Sequence, residues 1–369
     1  MLYNYFMFTQ VRIKNFRGIE DLFLDNLKQI NIFVGDNGIG KSTILDAIYL
    51  SINPNNPELL NRTNTFRGFK DQIIQNLDEN RVILVPKDED YWRTFFYQFD
   101  FSNLIEIDLS GSCQRNIVIS PHKNSDSAIP TKGINNVNND TSRESNLVSG
   151  VDIHFQSDNK NYESSYFQKD ALLVKTDSNY IETLSGNYFN NVTMDNIENI
   201  YSGYEDIIKK KNKKILLKLL KTVEPYIQDI ERGKTSFIIN DERFTKAVDV
   251  KTYGEGFYKS LYFFVSVLSN MPNGICLFDE IENGFFYLKQ CIIWKGIMGL
   301  LKEIPSEQIF VTTHSLEMIK HLYETASTMK FLNKISLYRI EKTKKDILQA
   351  IHYNLAEFDY AIKENLEVR

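Results

Sequence analysis

Residues 35 to 43 read Gly-Asp-Asn-Gly-Ile-Gly-Lys-Ser-Thr and follow an apolar run, Ile30-Asn31-Ile32-Phe33-Val34. The spacing is the phosphate-binding pattern G-x-x-x-x-G-K-[ST], set between a predicted strand and a predicted helix. Its glycines let successive backbone N–H groups, from Asp36 and Asn37 through Gly38 and Gly40, point inward as a concave anion site. The helix that follows adds the positive end of its dipole. In that geometry Lys41 reaches the β- and γ-phosphates, Ser42 sits on Mg²⁺, and Thr43 lies beside the α- and β-phosphates. The chemistry implied is the binding of a nucleoside triphosphate with Mg²⁺.

Two further apolar runs end in polar groups. Ile275-Cys276-Leu277-Phe278 is followed by Asp279-Glu280, and Val311-Thr312-Thr313 is followed by His314-Ser315. An Asp beyond a buried strand suits a Mg²⁺ water shell, and a Glu one residue on suits a base that polarises the attacking water. His314 suits a γ-phosphate sensor. In an open parallel sheet, ligands bind beyond the carboxyl ends of the strands, so all three ends are expected at one site. A glycine pair, Tyr253-Gly254-Glu255-Gly256-Phe257, precedes an apolar helix. It reads either as a phosphate-binding helix start or as an ordinary turn.

The elements that must position these groups follow from periodicity. Residues 8–16 alternate as a half-buried strand, with a partner at 22–24. Strands are predicted at 81–85, 105–109, 117–119, 151–155, 235–240 and 335–340, and residues 51–69 read as loop. From 178 to 231 the pattern reads as helical. Within it, residues 207–220 form one amphipathic helix carrying Lys209, Lys210, Lys211, Lys213, Lys214 and Lys218. That basic run suits a phosphate backbone or, as net acidity favours, a solvated helix face. Residues 120–149, rich in Ser and Asn, read as a surface insertion.

The 369 residues carry a net charge of −5, 42% hydrophobic and 13% aromatic residues, values that predict a sizeable core and argue against a nucleic-acid coat protein. Three cysteines without C-x-x-C spacing read as reduced thiols in a cytoplasmic protein. No apolar run approaches the ~18 residues of a membrane span, so no membrane partner is expected.

Taken together, Ile13-Lys14-Asn15-Phe16-Arg17-Gly18-Ile19, the 35–43 loop, Gly254-Glu255-Gly256, Asp279-Glu280-Ile281-Glu282-Asn283-Gly284 and Thr312-Thr313-His314-Ser315 occur in this order. They resemble the ABC-class ATPases of the SMC/RecF/OLD group. The nearest likeness is to the compact AAA-type ATPases related to the OLD proteins, which the 53–58 stretch, Phe66-Arg67-Gly68-Phe69 and the terminal Glu367-Val368-Arg369 also match. The resemblance implies an α/β P-loop NTPase of ABC/RecF-like head type, with a mixed β-sheet core, an antiparallel N-terminal lobe and a helical insertion. It implies one bilobed domain over 1–369. Residues 1–175 would form the N-terminal lobe with a variable insertion at 110–175, 176–260 the helical and signature region, and 261–369 the lobe of Asp279 and His314.

By the same resemblance the chain is an ATPase that takes ATP and Mg²⁺. Two heads close on two nucleotides, each held between one copy's P-loop and the other's Gly254, Glu255 and Gly256. The signature serine of ABC proteins is absent near Tyr253 and Gly254, and Phe285-Phe286 replaces the Leu-His usual after Glu-Asn-Gly. Glu280 and His314 would be catalytic; Ser42, Asp279 and a Q-loop residue, Gln98, would serve the metal; Arg17 would approach the nucleotide. No long heptad arm and no Asp-x-Asp pair after His314 appear, which sets the chain apart from arm-bearing SMC proteins and from OLD proteins with a TOPRIM nuclease. No Asn-Lys-x-Asp motif appears, which favours ATP over GTP. The function implied is a switch that dimerises on ATP and controls a separately encoded nuclease or toxin in bacterial or mobile-element defence. The alternative is a RecF-like DNA-binding repair ATPase; DNA is allowed for but not required by the first reading.

Overall fold

The computed structural model describes residues 7–69, 72–75, 82–85, 89–123, 148–168, 172–190, 197–270, 274–283, 287–303 and 307–364. Arg81, Gly284, Phe285-Phe286, most of the polar 120–149 stretch and the terminal Glu367-Val368-Arg369 lie outside them.

Two sheets enclose one helix. The first is antiparallel. It joins β1 (Phe8–Phe16), β2 (Ile19–Leu24), β6 (Ile105–Gly111), β7 (Gln114–Lys123), β8 (Val148–Ser157), β9 (Lys160–Gln168) and β10 (Leu172–Lys175) in the order β10-β9-β8-β7-β6-β1-β2. The second is mixed. It runs β11 (Ser185–Phe189), β15 (Gly274–Phe278), β16 (Gln308–Thr312), β3 (Ile30–Val34), β17 (Ile335–Lys342) and β18 (Leu348–Tyr353), in that spatial order. All its neighbours are parallel except β17 and β18. The short hairpin β4 (Gln72–Gln75) with β5 (Val82–Val85), and the small sheet β12 (Ile227–Arg232), β13 (Phe237–Asp241) and β14 (Val248–Asp249), stand apart.

The period-2 geometry of strands explains why the central runs are wholly apolar. Ile30, Ile32 and Val34 face one core together with Cys276, Phe278, Ile309 and Val311. Phe33, Ile275, Leu277 and Phe310 face the other. Strands buried on both faces lose the alternation of a half-exposed strand. The first core is closed by α4 (Ile197–Lys209), α5 (Lys213–Val223), α6 (Glu255–Ser269), α7 (Tyr287–Glu303) and α8 (Leu316–Thr328). The second holds α1 (Lys41–Ile52) between the two sheets, against Val11 and Ile13 of β1, and takes in Tyr91 and Trp92 of α3 (Glu89–Arg93). That position buries nearly every residue of α1, including Lys41 and Asp46.

Three expectations need correction. Residues 51–69 are not all loop: Pro57 starts α2 (Glu58–Phe66), whose Leu59, Leu60, Thr63 and Asn64 are buried. Helix does not run from 178 to 231, because Ser185–Phe189 joins the parallel sheet beside β15 and Ile227–Arg232 pairs with β13. The lysine-rich helix is two helices, broken at Lys211, which has φ of 61°. The C-terminal end carries β18 before its closing helix α9 (Leu355–Lys363), which Asn354 and Glu357 start with a capping box.

Candidate functional site

The spatial order β15-β16-β3 brings the three predicted strand ends side by side. β3 ends at Gly35, where φ is 143° and a Cβ would lie 2.3 Å from the Ile340 carbonyl oxygen, so only glycine fits. The loop then climbs to Gly40, the N-cap of α1, with φ of 116°. No side chain caps this helix. Its first N–H groups are therefore left for an anion at the end where the dipole is positive.

Lys41 is buried, and its Nζ donates to the carbonyls of Gly35 (2.9 Å) and Asp36 (2.8 Å). The same ammonium lies 3.3 Å from His314 Nδ1. Burial lowers the Lys41 pKa, and Asp279, Glu280, Glu282 and Asp36 oppose that shift. Ser42 Oγ donates to Asp279 Oδ1 at 3.0 Å, and Thr312 Oγ1 donates to the same oxygen at 2.6 Å. Burial raises the Asp279 pKa, against the pull of these two hydroxyls. The edge strand fixes the backbone here, since Asp279 N donates to Phe189 O at 2.8 Å.

Glu280 sits in left-handed backbone with φ of 52°. Its N–H donates to Thr312 Oγ1 (2.8 Å), and its Oε2 accepts from Asn283 Nδ2 (2.6 Å). Its Oε1 is 3.8 Å from His314 Nε2. Glu282 Oε1 accepts from His314 N–H at 2.6 Å, which fixes the backbone that presents the imidazole. Lys41, Ser42, Asp279, Glu280 and His314 thus meet as the sequence expects.

The other expected residues stand outside this cluster. Arg17 is turned inward, with its side chain 8% exposed. It donates to Thr63 Oγ1 and Asn64 Oδ1 and pairs with Asp46 at 3.6 Å. Burial lowers its pKa to about 10. Gln98, in a turn with φ of 53°, lines a cleft with Arg17 and Thr43. Gly254, with φ of 81°, starts α6, and no atom lies within 4 Å of where its Cβ would be. The bonds around this loop run within it, Lys259 to Glu255 (2.7 Å) and Ser260 to the Gly256 carbonyl (2.7 Å), and outward, Tyr253 Oη to Asp241 (2.6 Å) and Lys259 Nζ to the Asn283 carbonyl (3.2 Å). Among the described residues none reaches the P-loop of the same chain.

Some contributors gain their role only from the fold. Arg67 ends α2 and donates to Thr43 Oγ1 (3.0 Å) and to Asp46 Oδ2 (2.7 Å), tying α2 to the first turns of α1. Thr312 and Asn283 stand inside motifs that mark only their neighbours.

The donor set suits a small hard cation. Ser42 and Asp279 offer oxygen ligands, and Mg²⁺ keeps waters and substrate phosphates for the rest of its octahedron. No group of three or more His, Cys, Asp or Glu residues able to hold a metal alone occurs among the described residues. Nor is any described helix long and apolar enough to cross a membrane.

A family model described as "AAA domain, putative AbiEii toxin, Type IV TA system" matches residues 30–320. An ATP/GTP phosphatase of Helicobacter pylori is 22% identical, covering 98% of this chain and 100% of its own. The DNA replication and repair protein RecF of Lactococcus lactis is 52% identical over 40 residues, 11% of either chain. Among solved structures, an SMC head bound to the C-winged helix domain of ScpA covers 96% of this chain and 99% of its own, with 11% identity and a TM-score of 0.46.

Proposed function

The chain belongs to the AAA-domain family of the putative AbiEii toxin, type IV toxin–antitoxin class, and we propose that it is a nucleoside-triphosphate-hydrolysing switch that closes as a homodimer and controls a partner effector. The carrying observation is the convergence of Lys41, Ser42, Asp279, Glu280 and His314 on three adjacent strand ends. A full-length relative named ATP/GTP phosphatase supports hydrolysis as the reaction.

The parts divide as follows. The Asp36 to Gly40 backbone and the N-terminus of α1 hold the phosphates. Lys41 exchanges the Gly35 and Asp36 carbonyls for β- and γ-phosphate oxygens. Ser42 and Asp279 would hold Mg²⁺, which neutralises charge on those oxygens when bound. Glu280 accepts a proton from the attacking water while the water oxygen bonds to the γ-phosphorus and the bond from that phosphorus to the bridging oxygen breaks; the bridging oxygen stays with the departing nucleoside diphosphate. His314 stands beside both Lys41 and Glu280, where it can sense the γ-phosphate. Gly254, Glu255 and Gly256 serve the nucleotide of a second copy.

The likeness to OLD-type ATPases is what suggests a defence role with a separately encoded nuclease or toxin, and the family's description, which names a putative toxin and a type IV TA system, is compatible with it. The lysines behind the DNA-repair alternative are largely engaged. Lys213 pairs with Asp229, Lys218 with Glu303 and Lys209 with Asp206, while Lys210 donates to the Ser269 carbonyl. Steady-state hydrolysis by Glu280→Gln tests the central assignment. The expected fall in kcat is ~10²- to 10⁴-fold with nucleotide binding retained; a wild-type rate removes Glu280 as the base.

A further inference from the structure

The cleft of about 610 Å³ next to the P-loop has a lip that packing does not explain. Gln98 and Phe99 are consecutive non-glycine residues in left-handed backbone, with φ of 53° and 58°. Such conformations persist where the surroundings impose them, and they cluster at ligand sites. The turn is held by Phe99 N–H to the Phe96 carbonyl (3.0 Å) and by Arg93 to the Phe99 carbonyl (3.1 Å). What it presents is an aromatic ring in solvent: Phe99 is 64% exposed, and Phe69, on the same cleft, is 41% exposed. A strained turn that displays a phenyl ring to water gains nothing from burial.

The cleft also has a fixed relation to the phosphate site. Thr43, two residues past Lys41, lines it, and Arg67 lines it while donating to Thr43. A triphosphate held by Lys41 and Ser42 has its α-phosphate near Thr43, so the rest of the molecule leads into this space. Its volume is within the ~300–1,000 Å³ range of small-molecule sites. Lys342, paired with Asp346 at 2.8 Å in the β17–β18 turn, lines the same cleft.

Resting on the hydrolase reading above, we propose that this cleft seats the nucleoside half of the substrate and that Phe99 is its stacking platform for a purine base. Stacking reads the face of a base, which adenine and guanine share, and not its edge. The share of affinity that Phe99 supplies is therefore the same for ATP and for GTP.

Titration calorimetry with MgATP, MgGTP and Mg-tripolyphosphate tests this on wild type, Phe99→Ala, Phe99→Trp and Lys41→Ala. Phe99→Ala is expected to weaken ATP and GTP alike by about tenfold and to leave tripolyphosphate unchanged. Phe99→Trp is expected to restore both affinities, with indole fluorescence quenched on nucleotide binding. Phe99 is exposed, so the alanine change leaves the core intact. Equal ATP binding by wild type and Phe99→Ala overturns the proposal, as does a loss confined to one nucleotide. ATP binding undiminished in Lys41→Ala instead overturns the P-loop reading on which it rests.

Discussion

The Asn283 side-chain amide donates to Glu280 Oε2 across 2.6 Å, within one turn of chain after β15. Glu280 is at the same time in left-handed backbone, so its carboxylate is aimed by a constrained main chain and one amide. A hydrogen bond to a charged group contributes about 1.5–3 kcal/mol. Asn283→Ala is therefore expected to lower kcat about tenfold or more with KM unchanged, because orientation is lost and phosphate binding is not. Asn283→Asp sets a second carboxylate against Glu280 in place of the amide donor and is expected to lower kcat at least as far as Asn283→Ala. A wild-type kcat for Asn283→Ala removes the positioning role.

The site was readable in the sequence because its carriers are short apolar strands with abrupt polar ends. Ile30–Val34, Gly274–Phe278 and Gln308–Thr312 are buried throughout, and such runs announce themselves without partners. The flanking elements gave no such signal. Ser185–Phe189 is an edge strand of mostly half-exposed residues, and its place comes from tertiary partners, the pairing with β15 and the packing of Tyr188 on Tyr49 and Phe66. In Ile227–Arg232 the two isoleucines stand three apart, a helical spacing, yet pairing with β13 makes the segment a strand. Arg67 reaches Thr43 only after α2 folds back over α1, a tertiary fact that no local pattern encodes.

Glu307 gives the fold a pH dependence that is independent of catalysis. It is buried just before β16, and its Oε1 accepts from Gly274 N–H at 3.2 Å. Burial raises its pKa from the ordinary 4.5 to about 7, with the Gly274 bond and Lys210 pulling the other way. A carboxyl with a raised folded-state pKa contributes stability that is fully present below pH 4.5 and lost as pH rises through about 7. The full loss is about 3 kcal/mol. Wild-type Tm is expected to fall between pH 5 and pH 8, while Glu307→Gln, neutral and able to keep the Gly274 bond, is expected to show a flatter profile and a higher Tm at pH 8. Parallel profiles for the two proteins would dismiss Glu307 as the source.

Completion of the site by a second copy makes the sharpest expectation. Gly254 projects into open space with φ of 81°, and its loop has no bond to its own P-loop among the described residues. If each nucleotide lies between the P-loop of one copy and this loop of another, two different defects complement. Lys41→Ala loses its own phosphate grip but keeps a sound Gly254 loop. Gly254→Val strains that loop, since valine resists positive φ, but keeps a sound P-loop. Each variant alone is expected to be nearly inactive. In a 1:1 mixture, half of the dimers pair the two variants and each such dimer holds one intact composite site, so about a quarter of the wild-type rate returns. Particle mass by light scattering should double for Glu280→Gln on adding MgATP. Gly254→Val with a wild-type rate alone, or a mixture no more active than its parts, would mean that each chain hydrolyses nucleotide without its neighbour.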